Sequence, residues 1–103
     1  MKPTVYTITS QILNYAYEHG DHAYGLMTFT ALPNKDRCIL EDCCIKPLST
    51  EEISTPEANI AVHALTMTGL ITEVVYEQRE GFLAATKVGL WVFKCHEEKE
   101  TVY

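Results

Sequence analysis

The tripeptide Thr55-Pro56-Glu57 marks a helix start more firmly than any other part of this chain. A threonine hydroxyl can accept from the first free amides of a helix. Proline suits the first helical position, and a glutamate is stabilised at the positive end of the helix dipole. Ile60, Ala61, Ala64, Leu65 and Thr68 then recur at three- and four-residue spacing, which reads as one face, and Gly69 is placed to end the helix. Directly behind it comes Leu70-Ile71-Thr72-Glu73-Val74-Val75-Tyr76, rich in β-branched residues. Gln78-Arg79-Glu80-Gly81 reads as a turn, and Phe82-Leu83-Ala84-Ala85 as the returning strand. A helix that feeds straight into a two-stranded ribbon implies an α+β chain.

The rest of the chain fits one domain spanning residues 1–103, with no repeat, low-complexity tract or linker. Val5, Ile8, Ile12, Leu13 and Ala16 carry helical spacing, which predicts a first helix over residues 4–19 between Pro3 and Gly20. Residues 23–32 suit a short helix or a strand equally, and residues 33–36 read as a turn. Ser49 and Glu52 have capping-box spacing, so a short helix is expected before the tight turn at Ser54 and Thr55. Thr86 can cap a last helix over residues 87–98, although Val88, Leu90, Trp91, Val92 and Phe93 also suit a strand.

This order resembles a winged helix-turn-helix domain of the kind found in MarR- and PadR-like regulators. Two pieces carry the resemblance. Leu65-Thr66-Met67-Thr68-Gly69-Leu70-Ile71 is similar to the family's exit from the recognition helix. Thr86-Lys87-Val88-Gly89 matches the Thr-x-x-Gly that opens the helix after the wing. The match covers residues 49–93 and, loosely, the first helix. Residues 23–48 depart from it, either as an insertion or as the place of the second helix. The resemblance implies a small non-catalytic, transcription-associated regulator, with a two-stranded wing and a C-terminal helix. Its recognition helix, residues 55–68, would present Thr55, Asn59, His63 and Thr66 to duplex DNA or to a DNA-bound partner. The wing tip would be Gln78, Arg79 and Glu80, with Arg79 on phosphate. It also implies a homodimer formed by the first and last helices, with Ile12, Tyr15, Trp91 and Phe93 at the interface.

Charge opposes the DNA half of that expectation. The chain carries a net −6, and residues 47–78 contain five glutamates and no Lys or Arg. Specific DNA binding normally rests on several phosphate contacts from basic side chains. The alternative is an acidic protein–protein interaction module, an adaptor or inhibitor that engages a basic surface and no nucleic acid.

Other chemistry has less support. Cys38, Cys43, Cys44, Cys95 and His96 include metal-ligating types, but zinc sites favour Cys-x2-Cys pairs, and free buried thiols are expected instead. His19, Asp21 and His22 suit a solvated turn. No phosphate-binding loop or nucleophile signature is present, so neither a cofactor nor catalysis is expected. An enzyme would need a pocket that joins a cysteine to a histidine. The longest apolar run, near residues 90–93, is far short of a membrane span, and the first residues lack the apolar stretch of a secretory signal. A cytoplasmic location is the expectation.

Overall fold

The computed structural model describes residues 4–101, with side chains described through Glu98; Pro3 and the side chains beyond Glu98 lie outside them. The elements in order are α1 (Val5–Glu18), α2 (His22–Ala31), α3 (Asn34–Ile45), β1 (Leu48–Ser49), a 3-10 turn (Thr50–Glu52), α4 (Pro56–Met67), β2 (Ile71–Tyr76), β3 (Arg79–Ala85) and α5 (Lys87–Thr101). The fold is α+β: five helices and a small antiparallel sheet in the order β1-β3-β2.

Local chemistry sets most boundaries. Thr4 caps α1, its hydroxyl accepting from the Thr7 amide at 3.1 Å. α1 closes on Gly20 at φ +66°, with the Asp21 amide donating to Ala16 O and the Gly20 amide to Tyr17 O. This pair of bonds satisfies two end carbonyls and needs a left-handed residue between them, which glycine supplies cheaply. Asp21 then caps α2 by accepting from Tyr24 N, so the chain reverses within a few residues. α4 ends by the same device: Gly69 at φ +83°, Leu70 N to Leu65 O and Gly69 N to Thr66 O.

Residues 22–45 form two helices and no strand. Thr28 and Thr30 look strand-like in sequence, but their hydroxyls donate back to Tyr24 O and Leu26 O and so satisfy themselves within α2. Gly25 is tolerated inside α2 because the helix packs tightly against α5. A Cβ there would lie 2.6 Å from Cys95 Sγ and 3.1 Å from the Trp91 ring. The short helix expected after Ser49 is reduced to the 3-10 turn. Its Thr50 hydroxyl donates to Gly81 O at 2.9 Å, fastening it to β3.

The hairpin also differs from expectation. The turn is Glu77-Gln78, both at positive φ, and Arg79 already belongs to β3. Two such residues form the kind of two-residue turn whose twist suits a hairpin, at a steric cost of about 1–2 kcal/mol each. Gly81, expected in the turn, sits instead at a bulge: Val74 faces Phe82 while Tyr76 faces Arg79, so β3 carries one extra residue there.

One core joins the elements, built on Leu13, Phe29, Ile39, Leu40, Leu65, Leu70, Ile71, Leu83 and Val92. The helical stripes are placed a little differently from the spacing-based reading. α1 buries Leu13 and Ala16 but leaves Val5, Ile8 and Ile12 outside. α4 buries Ala58, Ala61 and Leu65, leaving Ile60 exposed.

α4 and α5 are joined through Thr86. Its hydroxyl accepts from Gly89 N at 3.0 Å, capping α5, and lies 2.5 Å from Gly69 O, to which it donates. Its amide donates to Leu70 O at 3.0 Å. This is the physical content of the Thr-x-x-Gly motif: one side chain opens α5 and ties it to the segment that leaves α4.

Candidate interaction face

Thr55, Asn59, His63 and Thr66 are all exposed on α4. At about 100° per residue they fall within roughly 80° of one another, away from the buried row. Thr55 is occupied as the cap, accepting from Ala58 N at 3.1 Å. Asn59 Nδ2 donates to Thr55 O at 3.1 Å, which engages one of its two amide hydrogens within the helix. The second hydrogen and Oδ1 form the pair that a two-point contact to a base uses. His63 lies edge-on to the Tyr6 ring of α1, with centroids 5.8 Å apart. Ile60 and Met67, both exposed, extend the row with apolar surface.

Arg79 is exposed at the start of β3, one residue past the tip rather than on it. The hairpin also carries Glu73, Glu77 and Glu80, all exposed. Glu57 stands in the first turn of α4 and Glu51 and Glu52 in the 3-10 turn. The face made by α4 and the hairpin is therefore acidic, and Arg79 is the one basic residue in 47–85.

The four residues expected at a dimer interface separate into two pairs. Ile12 and Tyr15 are exposed on α1, with Tyr15 stacked on His19 at 4.0 Å. Trp91 and Phe93 are half-buried on α5 and spend much of their surface inside the fold. Trp91 meets Tyr17 edge-on at 5.7 Å and covers Gly25, while Phe93 packs near Phe29 at 6.1 Å. The outer face of α1 adds two more exposed apolar residues, Val5 at 77% exposure and Ile8.

A cysteine and a histidine do come together. Cys95 Sγ lies 3.5 Å from His22 Nδ1, and Glu98 Oε2 lies 3.9 Å from the same nitrogen. A relay needs thiol and carboxylate on opposite ring nitrogens, and here both approach Nδ1. Burial first, then the negative charges of Glu98 and Asp21, push the Cys95 thiol up, away from the reactive thiolate. Burial likewise pushes Cys43 up to about 11 and Cys44 up to about 12. His96 stacks on Phe29 at 4.3 Å. Among the described residues no cluster of three or more His, Cys, Asp or Glu is arranged to hold a metal ion, and no helix is long and apolar enough to cross a membrane.

Comparison of the chain with known protein families, curated proteins and solved structures finds no match.

Proposed function

We propose that this chain is a small non-catalytic regulatory protein of winged-helix type, which acts by seating α4 and the β2–β3 hairpin on a partner protein, itself DNA-bound in the transcriptional reading. The acidic character of that face carries the choice of partner. Glu57 on α4 and Glu73, Glu77 and Glu80 on the hairpin outnumber the single Arg79, a balance that repels phosphate and favours a basic protein surface. Direct duplex contact is the second reading. It is favoured by the shared outward side of Thr55, Asn59, His63 and Thr66, with Arg79 on the adjoining hairpin.

A salt titration separates the two. Duplex DNA is expected to bind no more tightly than about 100 µM at physiological salt, the weak end of non-specific binding. Sub-micromolar binding at low salt that weakens steeply as salt rises would favour the DNA reading. In that case Arg79→Ala should weaken all sequences alike, and Asn59→Ala should relax base preference.

The homodimer of this proposal uses α1. Val5, Ile8, Ile12 and Tyr15 repeat at spacings of three, four and three, the seam of a coiled coil. The seam is self-complementary: in an antiparallel pair Val5 of one copy meets Tyr15 of the other, and Ile8 meets Ile12. α1 carries one charged residue, Glu18, so two acidic molecules can approach there with little repulsion. Sedimentation at micromolar concentration is expected to show a dimer that Ile8→Glu converts to monomer. A strictly monomeric parent protein removes the claim.

A further inference from the structure

An open groove of about 910 Å³ runs between the end of α3, β1, the 3-10 turn and the turn end of the β2–β3 hairpin. No α4 residue lines it. Its floor is apolar, formed by Leu48, Tyr76 and Phe82. Ile45, 76% exposed, adds apolar surface at the rim. Tyr76 and Phe82 meet edge-on at 5.3 Å and remain partly open. Asp42, Glu51, Glu52 and Glu77 stand around this floor, all exposed, with Lys46 the single basic residue among the lining groups.

We infer that this groove docks an extended, arginine-containing segment of a partner protein. The two properties that select the occupant are independent. The carboxylates set the sign of charge, and the aromatic pair sets its shape. A guanidinium is planar and weakly hydrated, so it can lie on an aromatic face while its edge donates to carboxylates. Lysine offers a compact, strongly hydrated charge and gains less from the rings. The volume is that of a peptide or ligand site. A second copy of this chain is a poor occupant, because its eight basic residues are scattered with no two adjacent, and the chain is net acidic.

The test uses the full chain and a fluorescein-labelled nonapeptide bearing three arginines among small residues. Its comparison arms are the same peptide with lysines, the same with glutamates, and spermidine as competitor. The arginine peptide is expected to bind about fivefold more tightly than the lysine peptide. Shifted backbone amides should concentrate in residues 42–52 and 76–82. Glu51→Gln with Glu52→Gln should weaken binding about tenfold, and Tyr76→Leu should abolish the preference for arginine. Glu18→Gln with Glu97→Gln, exposed and outside both the groove and the α4 face, should change it less than twofold.

The inference is overturned if no peptide binds at low salt, if arginine and lysine peptides bind alike, or if the outlying glutamates matter as much as the groove pair. It is also overturned if spermidine displaces the peptide at equal concentration. Should Tyr76→Leu fail to fold, the glutamate pair and the amide map still decide. The groove is read by the Glu51/Glu52 and Tyr76 variants and the α4 face by Asn59→Ala and Arg79→Ala, so the failure of one reading is distinguishable from the failure of the other.

Discussion

Gly89→Ala is expected to unfold the protein or to cost it at least about 3 kcal/mol, read from urea denaturation followed by circular dichroism. A Cβ at this position would sit 2.0 Å from the carbonyl oxygen of Leu70 and 3.0 Å from its carbon. Nothing flexible is available to move. Leu70 O is held by the Thr86 amide, and Leu70 itself is 1% exposed in the core. Relief would require α5 to lift away from the end of α4, and that would break the Thr86 bonds to Gly69 and Leu70. Gly20→Ala is the informative control. No atom lies within 4 Å of its Cβ position, so only the positive φ matters, and about 1 kcal/mol is expected. Equal, small losses at both positions would show that α5 does not press on Leu70.

Leu40→Ala is expected to cost about 2–5 kcal/mol in the same measurement. Leu40 has no exposed surface and lies on α3, which packs against α4, β3 and α5. A void there is bounded by several elements fixed by other contacts, so it cannot collapse cheaply. Leu40 Cδ1 is also the third-nearest atom to the Gly89 Cβ position, at 3.3 Å. Removing it makes room on one side only. Leu40→Ala combined with Gly89→Ala should therefore stay less stable than Leu40→Ala alone, because the nearer obstacle is backbone. Recovery in the double variant would mean that side-chain crowding, and not the Leu70 carbonyl, is what excludes alanine.

The parts of the fold legible in the sequence are those written in a few neighbouring residues. Thr55 and Pro56 start α4, Gly20 and Gly69 end helices, and Thr86 starts α5, because each satisfies or removes backbone groups within its own turn. The parts that were not legible depend on distant residues. α2 is a helix around Gly25 because Trp91 and Cys95 of α5 lie against it. Gly81 looked like a turn residue but serves a bulge beside Thr50, and the turn falls on Glu77-Gln78, whose side chains give no sign of positive φ. Periodicity found the helices but could not tell which stripe goes inward. On α1, Leu13 and Ala16 are buried while Val5, Ile8 and Ile12 are not.

The candidate sites divide in the same way. The α4 row follows from one helical repeat and was visible directly. The groove draws on residues 42–52 and 76–82, which only the β1–β3 pairing brings together, so no local spacing announces it. Trp91 and Phe93, expected at a dimer interface, are half-buried because α2 lies against α5, a long-range packing that no local spacing announces.

The Thr86 hydroxyl acts as a pin shared by two rods. It grips the carbonyls of Gly69 and Leu70, just past the end of α4, while heading α5, so the exit of one helix and the entry of the other share one side chain. α5 in turn makes the most extensive helix–helix contact of the fold, with α2. Thr86 thus links the end of α4, through α5, to α2 on the other side of α5.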